Sequence, residues 1–69
     1  MPLTIIPVDS RVLAELEEAE DEWRNGRADE LNPMRLLEIA ELYWQADCPD
    51  EARRADVLAG SAVYAGAVE

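Results

Sequence analysis

The sequence predicts an all-α fold: a small helical hairpin or three-helix domain, preceded by a short arm and dimeric. Three observations carry this. Apolar residues recur at helical spacing along three stretches, each bounded by residues that start or stop helices. The one β-prone run, Leu3-Thr4-Ile5-Ile6, is bracketed by Pro2 and Pro7, and proline cannot donate to a strand ladder. The chain has 69 residues, enough for one domain but little core, so close helix packing or a partner subunit must supply stability.

Residues 1–8 read as an extended arm that tucks Ile5 and Ile6 onto the helices, of this chain or of a second subunit. Helix 1 follows over about residues 9–25. Asp9 and Ser10 both suit an N-cap, and Val12, Leu16, Ala19 and Trp23 form a narrow apolar stripe. The rest of its surface is acidic: Glu15, Glu17, Glu18, Glu20, Asp21 and Glu22, with no base among them. Gly26 fits a left-handed C-cap, and Arg24 and Arg27 oppose the negative end of the helix dipole. Ala28-Asp29-Glu30-Leu31 then connects to the sharpest boundary in the chain, Asn32 as N-cap and Pro33 at the first helical position.

Helix 2, over 33–47, organises the rest. At about 100° per residue, Ile39, Tyr43, Leu36, Ala40, Trp44 and Leu37 make one continuous apolar arc, which Leu42 and Ala46 widen to roughly 220°. Only Glu38, Glu41 and Gln45 form a polar strip. Such a helix must be covered from more than one direction. Cys48-Pro49 ends or kinks it, because proline disfavours helical geometry in the residue before it. Helix 3, over 49–67, is then either the rest of a kinked long helix or the return arm of a tight hairpin. Ala52, Ala55, Ala59, Ala62, Val63 and Gly66 share one face that can lie close against helix 2, with Leu58 and Tyr64 on its flanks. Asp56 falls near that same face, which a simple hairpin does not explain; an arginine such as Arg53 is one candidate partner.

Composition excludes more functions than it suggests. Sixteen Asp and Glu stand against six arginines and no lysine, a formal charge of −10. Nucleic acid and anionic membrane repel such a chain, so a basic protein surface is the expected partner. Cys48 is the only cysteine and histidine is absent, so no intrachain disulfide, zinc site or base-activated nucleophile is expected. No cofactor motif is present, and an enzyme is not expected. Met1 to Pro7 lacks the basic and apolar regions of a signal peptide, and the uncharged run from Val57 to Val68 is shorter than the ~20 residues that cross a bilayer. A cytoplasmic protein is expected.

Two surfaces remain as candidates. The first is partner-binding Leu37, Glu38, Glu41, Leu42, Tyr43, Trp44 and Gln45: aromatic anchors with an acidic rim, suited to an arginine-rich target. Tyr43 and Trp44 point about 100° apart, so only two different neighbours can bury both. The second is the acidic face of helix 1, either a solvated face or a phosphate-like array that mimics DNA.

Ala40, Tyr43, Ala52 and Ala59, within Leu36 to Ala59, fall at spacings that resemble a tetratricopeptide repeat, with Asp56 where that family carries a bulky apolar residue. The resemblance implies a helical hairpin of that packing geometry. Over the whole chain, the short length, the acidity and the helical pattern from Asp9 to Val68 resemble the small acidic proteins with which phages disable host regulators. Asn32-Pro33 and Leu42-Tyr43-Trp44-Gln45 are its most distinctive strings. Among such proteins the resemblance is to the Pseudomonas phage anti-activators of quorum sensing. It implies a homodimer in the host bacterial cytoplasm that binds the DNA-binding domain of a LuxR-type transcriptional activator and blocks its access to DNA. Anti-CRISPR proteins share the profile, and a tetratricopeptide-like adaptor or structural module is the alternative of another class.

Overall fold

A computed structural model describes residues 8–67; the expected arm before Val8 lies outside the described residues. They form an all-α, three-helix domain. Helix α1 spans Ser10–Arg24, a single 3-10 turn spans Ala28–Glu30, α2 spans Pro33–Gln45 and α3 spans Pro49–Ala67.

Local chemistry sets these boundaries. Asp9 caps α1 by accepting from the Arg11 amide at 2.9 Å, and Asn32 caps α2 by accepting from the Met34 and Arg35 amides. Helices α1 and α2 end in the same Schellman geometry. Gly26 adopts φ 75° after α1, with its amide bonded to the Trp23 carbonyl and the Arg27 amide to that of Glu22. After α2 the left-handed residue is Asp47, φ 59°, and the amides of Asp47 and Cys48 close onto the carbonyls of Trp44 and Tyr43. Helix α2 therefore stops at Gln45, two residues short of the expected 47, because Asp47 has left helical geometry. The Cys48 carbonyl already accepts from the Ala52 amide at 3.0 Å, so α3 starts at once with Pro49 in its first turn. The result is a tight hairpin and not a kinked long helix.

The hairpin closes over small side chains. Ala52, Ala55, Ala59 and Ala62 of α3 and Ala40 of α2 are all buried, with Leu36, Ile39, Tyr43 and Leu58 filling the space beside them. Helices that meet over alanines approach closely, and only a narrow strip of each is then covered. This overturns two expectations for α3. Val63 and Tyr64 are exposed, Tyr64 at 73%, because they lie about 80° and 180° round the helix from Ala55.

Helix α1 lies across the hairpin and touches both of its helices. Val12 and Leu16 enter the core and Ala19 packs against it, but the stripe expected to reach Trp23 stops short. Trp23 is 46% exposed and shares a shallow cleft with Val57 and Leu58 of α3. What completes the docking is charge. On one flank of α1 Glu15 accepts two hydrogen bonds from the Arg35 guanidinium of α2, at 2.7 and 2.8 Å. On the other flank Glu20 receives the Arg54 guanidinium of α3 in the same two-pronged way. The guanidinium hydrogen bonds hold the Glu15 and Glu20 carboxyls below their ordinary value of 4.5, against a smaller opposing effect of desolvation.

Two outcomes follow from this packing. Leu16 is fully buried, so Leu16→Ala is expected to lower unfolding free energy by about 2–5 kcal/mol in urea titrations. The second outcome concerns pH. Because the Glu15 and Glu20 pKa values are lower folded than unfolded, their contribution is complete above about pH 4.5 and is lost as pH falls through the folded values. Glu15→Gln/Glu20→Gln should therefore flatten the acid limb of a melting-temperature profile and bring it closest to the unaltered chain at low pH.

Candidate functional site

The outer face of α2 is left open by the other helices. At about 100° per residue it covers roughly 160°, from Trp44 and Leu37 at one edge to Leu42 at the other, with Glu41, Gln45 and Glu38 between. Leu37, Leu42 and Trp44 are each about half exposed. Tyr43 is not part of this surface. It is 5% exposed and belongs to the core cluster, because the rotation that buries Tyr43 against α3 leaves its neighbour Trp44 at the rim. Burial raises the Tyr43 phenol above its ordinary pKa of 10, and the Glu51 carboxylate adds to that rise.

One hydrogen bond stitches the rim. Trp44 Nε1 donates to Oδ2 of Asp56 across the hairpin at 3.3 Å, so the acid near the apolar face of α3 is paired with an indole and not with Arg53. Two turns away from this bond, back along α2 and forward along the antiparallel α3, stand Leu37 and Val63, both at least half exposed. Leu37, Trp44 and Val63 thus lie along one side of the hairpin seam, with Met34 one turn before Leu37 and Tyr64 on the outer side of α3. Scattered exposed apolar residues are ordinary, whereas these three share one side of the hairpin. Met34, Val63 and Tyr64 were not among the residues expected from sequence. Met34 alone left a signal, at i−3, i−7 and i−10 from Leu37, Glu41 and Trp44.

The electrostatics of the surface are set by which charges are already paired. Arg11, Arg24, Arg27, Arg35 and Arg54 all hold carboxylates of this chain within 4 Å, and among the described residues only Arg53 makes no such pair. The acidic face of α1 is correspondingly depleted. Glu15, Glu20, Asp21 and Glu22 each engage an arginine, which leaves Glu17 and Glu18. A free phosphate-like array on α1 is not what the structure displays. On α2, Glu38 reaches Arg35 at 3.5 Å, while Glu41 makes no ion pair and accepts a 3.4 Å hydrogen bond from Gln45. Among the described residues, Glu41, Asp47, Asp50 and Glu51 make no ion pair; they lie around the C-terminal half of α2, the hairpin turn and the start of α3.

Cys48 is half-buried at the helix junction, where its thiol donates to the Ala46 carbonyl at 3.6 Å. No described helix is long and apolar enough to cross a membrane. The arrangement offers apolar side chains and negative charge on one open face.

Because Leu37 and Trp44 are half exposed, their substitution separates binding from folding. Leu37→Ala and Trp44→Ala should each cost about 1–3 kcal/mol in urea unfolding and leave the chain folded, the Trp44 loss including its hydrogen bond to Asp56. Comparison with protein-family models, with curated proteins and with solved structures finds no match to this chain.

Proposed function

We propose that this protein is a small acidic inhibitor that binds the basic, nucleic-acid-contacting surface of a host DNA-binding protein and blocks its access to DNA. The observation that carries this reading is the surface left after internal pairing. Almost all the arginines are engaged within the chain, so the outer face presents apolar anchors, Leu37 and Trp44, beside Glu41, which makes no ion pair among the described residues, with Asp47 and Asp50 at the adjoining hairpin turn in the same state. An arginine-bearing protein surface satisfies both kinds of group at once. A LuxR-type transcriptional activator is the target class implied by the phage resemblance, and an anti-CRISPR action would use the same chemistry against a nucleic-acid-binding effector. The contact is protein to protein; nucleic acid and anionic membrane carry the wrong charge. In the same reading the chain is a homodimer, with part of the α2 face shared between two copies.

The exposed apolar residues Leu37, Trp44 and Val63 on one side of the hairpin favour one second reading, an adaptor or structural module of tetratricopeptide-like geometry. Its interface would be mainly apolar.

Capture from a bacterial lysate, followed by mass spectrometry and repeated over a salt series, separates the two. Inhibition predicts basic DNA-binding proteins in the eluate, an affinity that falls as ionic strength rises, and loss of binding on charge reversal at Glu38 and Glu41. A partner held equally well at high salt and after that reversal, but lost with Leu37→Ala or Trp44→Ala, would establish the adaptor instead. A monomer by light scattering at micromolar concentration would remove the homodimer.

A further inference from the structure

Away from the open face of α2, the hairpin turn and the start of α1 enclose a groove of about 690 Å³. Its apolar lining comes from Tyr43, Ala46 and Cys48 of the hairpin and from Val8 and Leu13 on the α1 side. Two carboxylates reach it, Glu17 of α1 and Glu51 in the first turn of α3, and neither makes an ion pair among the described residues. Arg54, the one cation on the lining, is already engaged with Glu20.

Tyr43 adds a polar group to this lining. Its side chain is 95% buried, at 5% exposure, yet its hydroxyl meets no hydrogen-bond partner among the described residues. No described side-chain polar atom is both sealed from solvent and unpartnered, so this hydroxyl keeps access to solvent, and Tyr43 lines the groove. A buried phenol ordinarily finds a partner. Here none is met, and the groove that Tyr43 lines also carries those two carboxylates and an apolar floor.

We propose that this groove binds a basic amphipathic segment of a partner protein, taking an apolar side chain onto Tyr43, Ala46 and Cys48 and an arginine or lysine to Glu17 and Glu51. The cation's N–H groups have three acceptors within the groove, the two carboxylates and the Tyr43 hydroxyl oxygen. An isolated cation would not use the apolar floor, and an apolar peptide would leave the carboxylates unmet. The groove is a second contact for the same kind of partner, and in taking that partner to be basic it rests on the function proposed above.

The single cysteine lies in the groove and reports its occupancy in the full chain. The probe is a short synthetic amphipathic peptide with leucine and arginine at helical spacing; the readouts are its affinity by fluorescence anisotropy and the rate at which iodoacetamide alkylates Cys48. The peptide should saturate and slow alkylation. Glu17→Gln/Glu51→Gln should weaken peptide affinity about tenfold or more, and Tyr43→Phe should weaken it by a smaller factor. Glu18→Gln/Asp29→Asn removes the same charge elsewhere and should bind as the unaltered chain does. A peptide that binds without protecting Cys48, or that binds the Glu17/Glu51 variant with unchanged affinity, overturns the proposal. So does faster Cys48 alkylation in the peptide-free Ile5→Ser/Ile6→Ser chain, which would assign the groove to this chain's own N-terminal residues. Failure of the proposed function looks different: the peptide still protects Cys48, but the captured host proteins carry no basic surface.

Discussion

The close approach of α2 and α3 over alanine is the constraint from which the other features descend. Ala40 meets a face built from Ala52, Ala55, Ala59 and Ala62, all at or near zero exposure. Small side chains remove the spacing that larger ones would impose, so two helices of modest length bury a common seam without needing a large core. The same economy has a geometric consequence. A seam this narrow cannot cover the whole apolar arc of α2, and what it leaves uncovered, Leu37 and Trp44 on one side and Leu42 on the other, becomes surface. The open face is thus a by-product of the packing that stabilises the hairpin.

Charge plays two different parts in the molecule. Inside the fold it replaces missing apolar area: α1 buries only Val12 and Leu16, and its docking is completed by two bidentate arginine–glutamate pairs on opposite flanks. Exposed ion pairs are individually weak, but two-pronged geometry and placement on both sides of one helix fix its orientation as a single weak pair would not. Outside the fold, the arginines that make these pairs are no longer available to neutralise the rest of the surface. Among the described residues, internal pairing leaves uncompensated acid at Glu41 of α2 and around the hairpin turn, as well as at Glu17 and Glu18 of α1.

Much of the architecture was legible in the residues because it is decided locally. Asp9, Asn32 and Gly26 act within one turn of themselves, and the alanine repeat of α3 is a property of one helix. The features that were not legible all depend on how one helix sits on another. Sequence periodicity could not tell that Tyr43 would be buried while Trp44 stayed at the rim, since both lie in the same apolar arc. Nor could it show that Asp56 would meet an indole, because nothing within α3 announces the position of Trp44. The acidic run of α1 was the most misleading signal. Read along one helix it has no base, yet its counter-charges Arg35 and Arg54 arrive from elsewhere in the chain. The groove under Tyr43 left no trace in sequence, because its walls come from three separate segments.

The way α1 is held also says something about the order in which the molecule comes together and apart. Helices α2 and α3 are neighbours in the chain, joined by a turn of only Ala46 to Cys48, so their pairing closes a short loop and should form early. Helix α1 contributes two core side chains and two salt-sensitive clasps, and it is the element whose release leaves the hairpin seam intact. Opening of α1 is therefore a sub-global event, separable from the collapse of the hairpin. It would also dismantle one wall of the groove at Tyr43 while leaving the outer face of α2 untouched. The two surfaces proposed for partners thus differ in durability: one persists as long as the hairpin does, and the other exists only while a pair of glutamates keeps hold of its arginines.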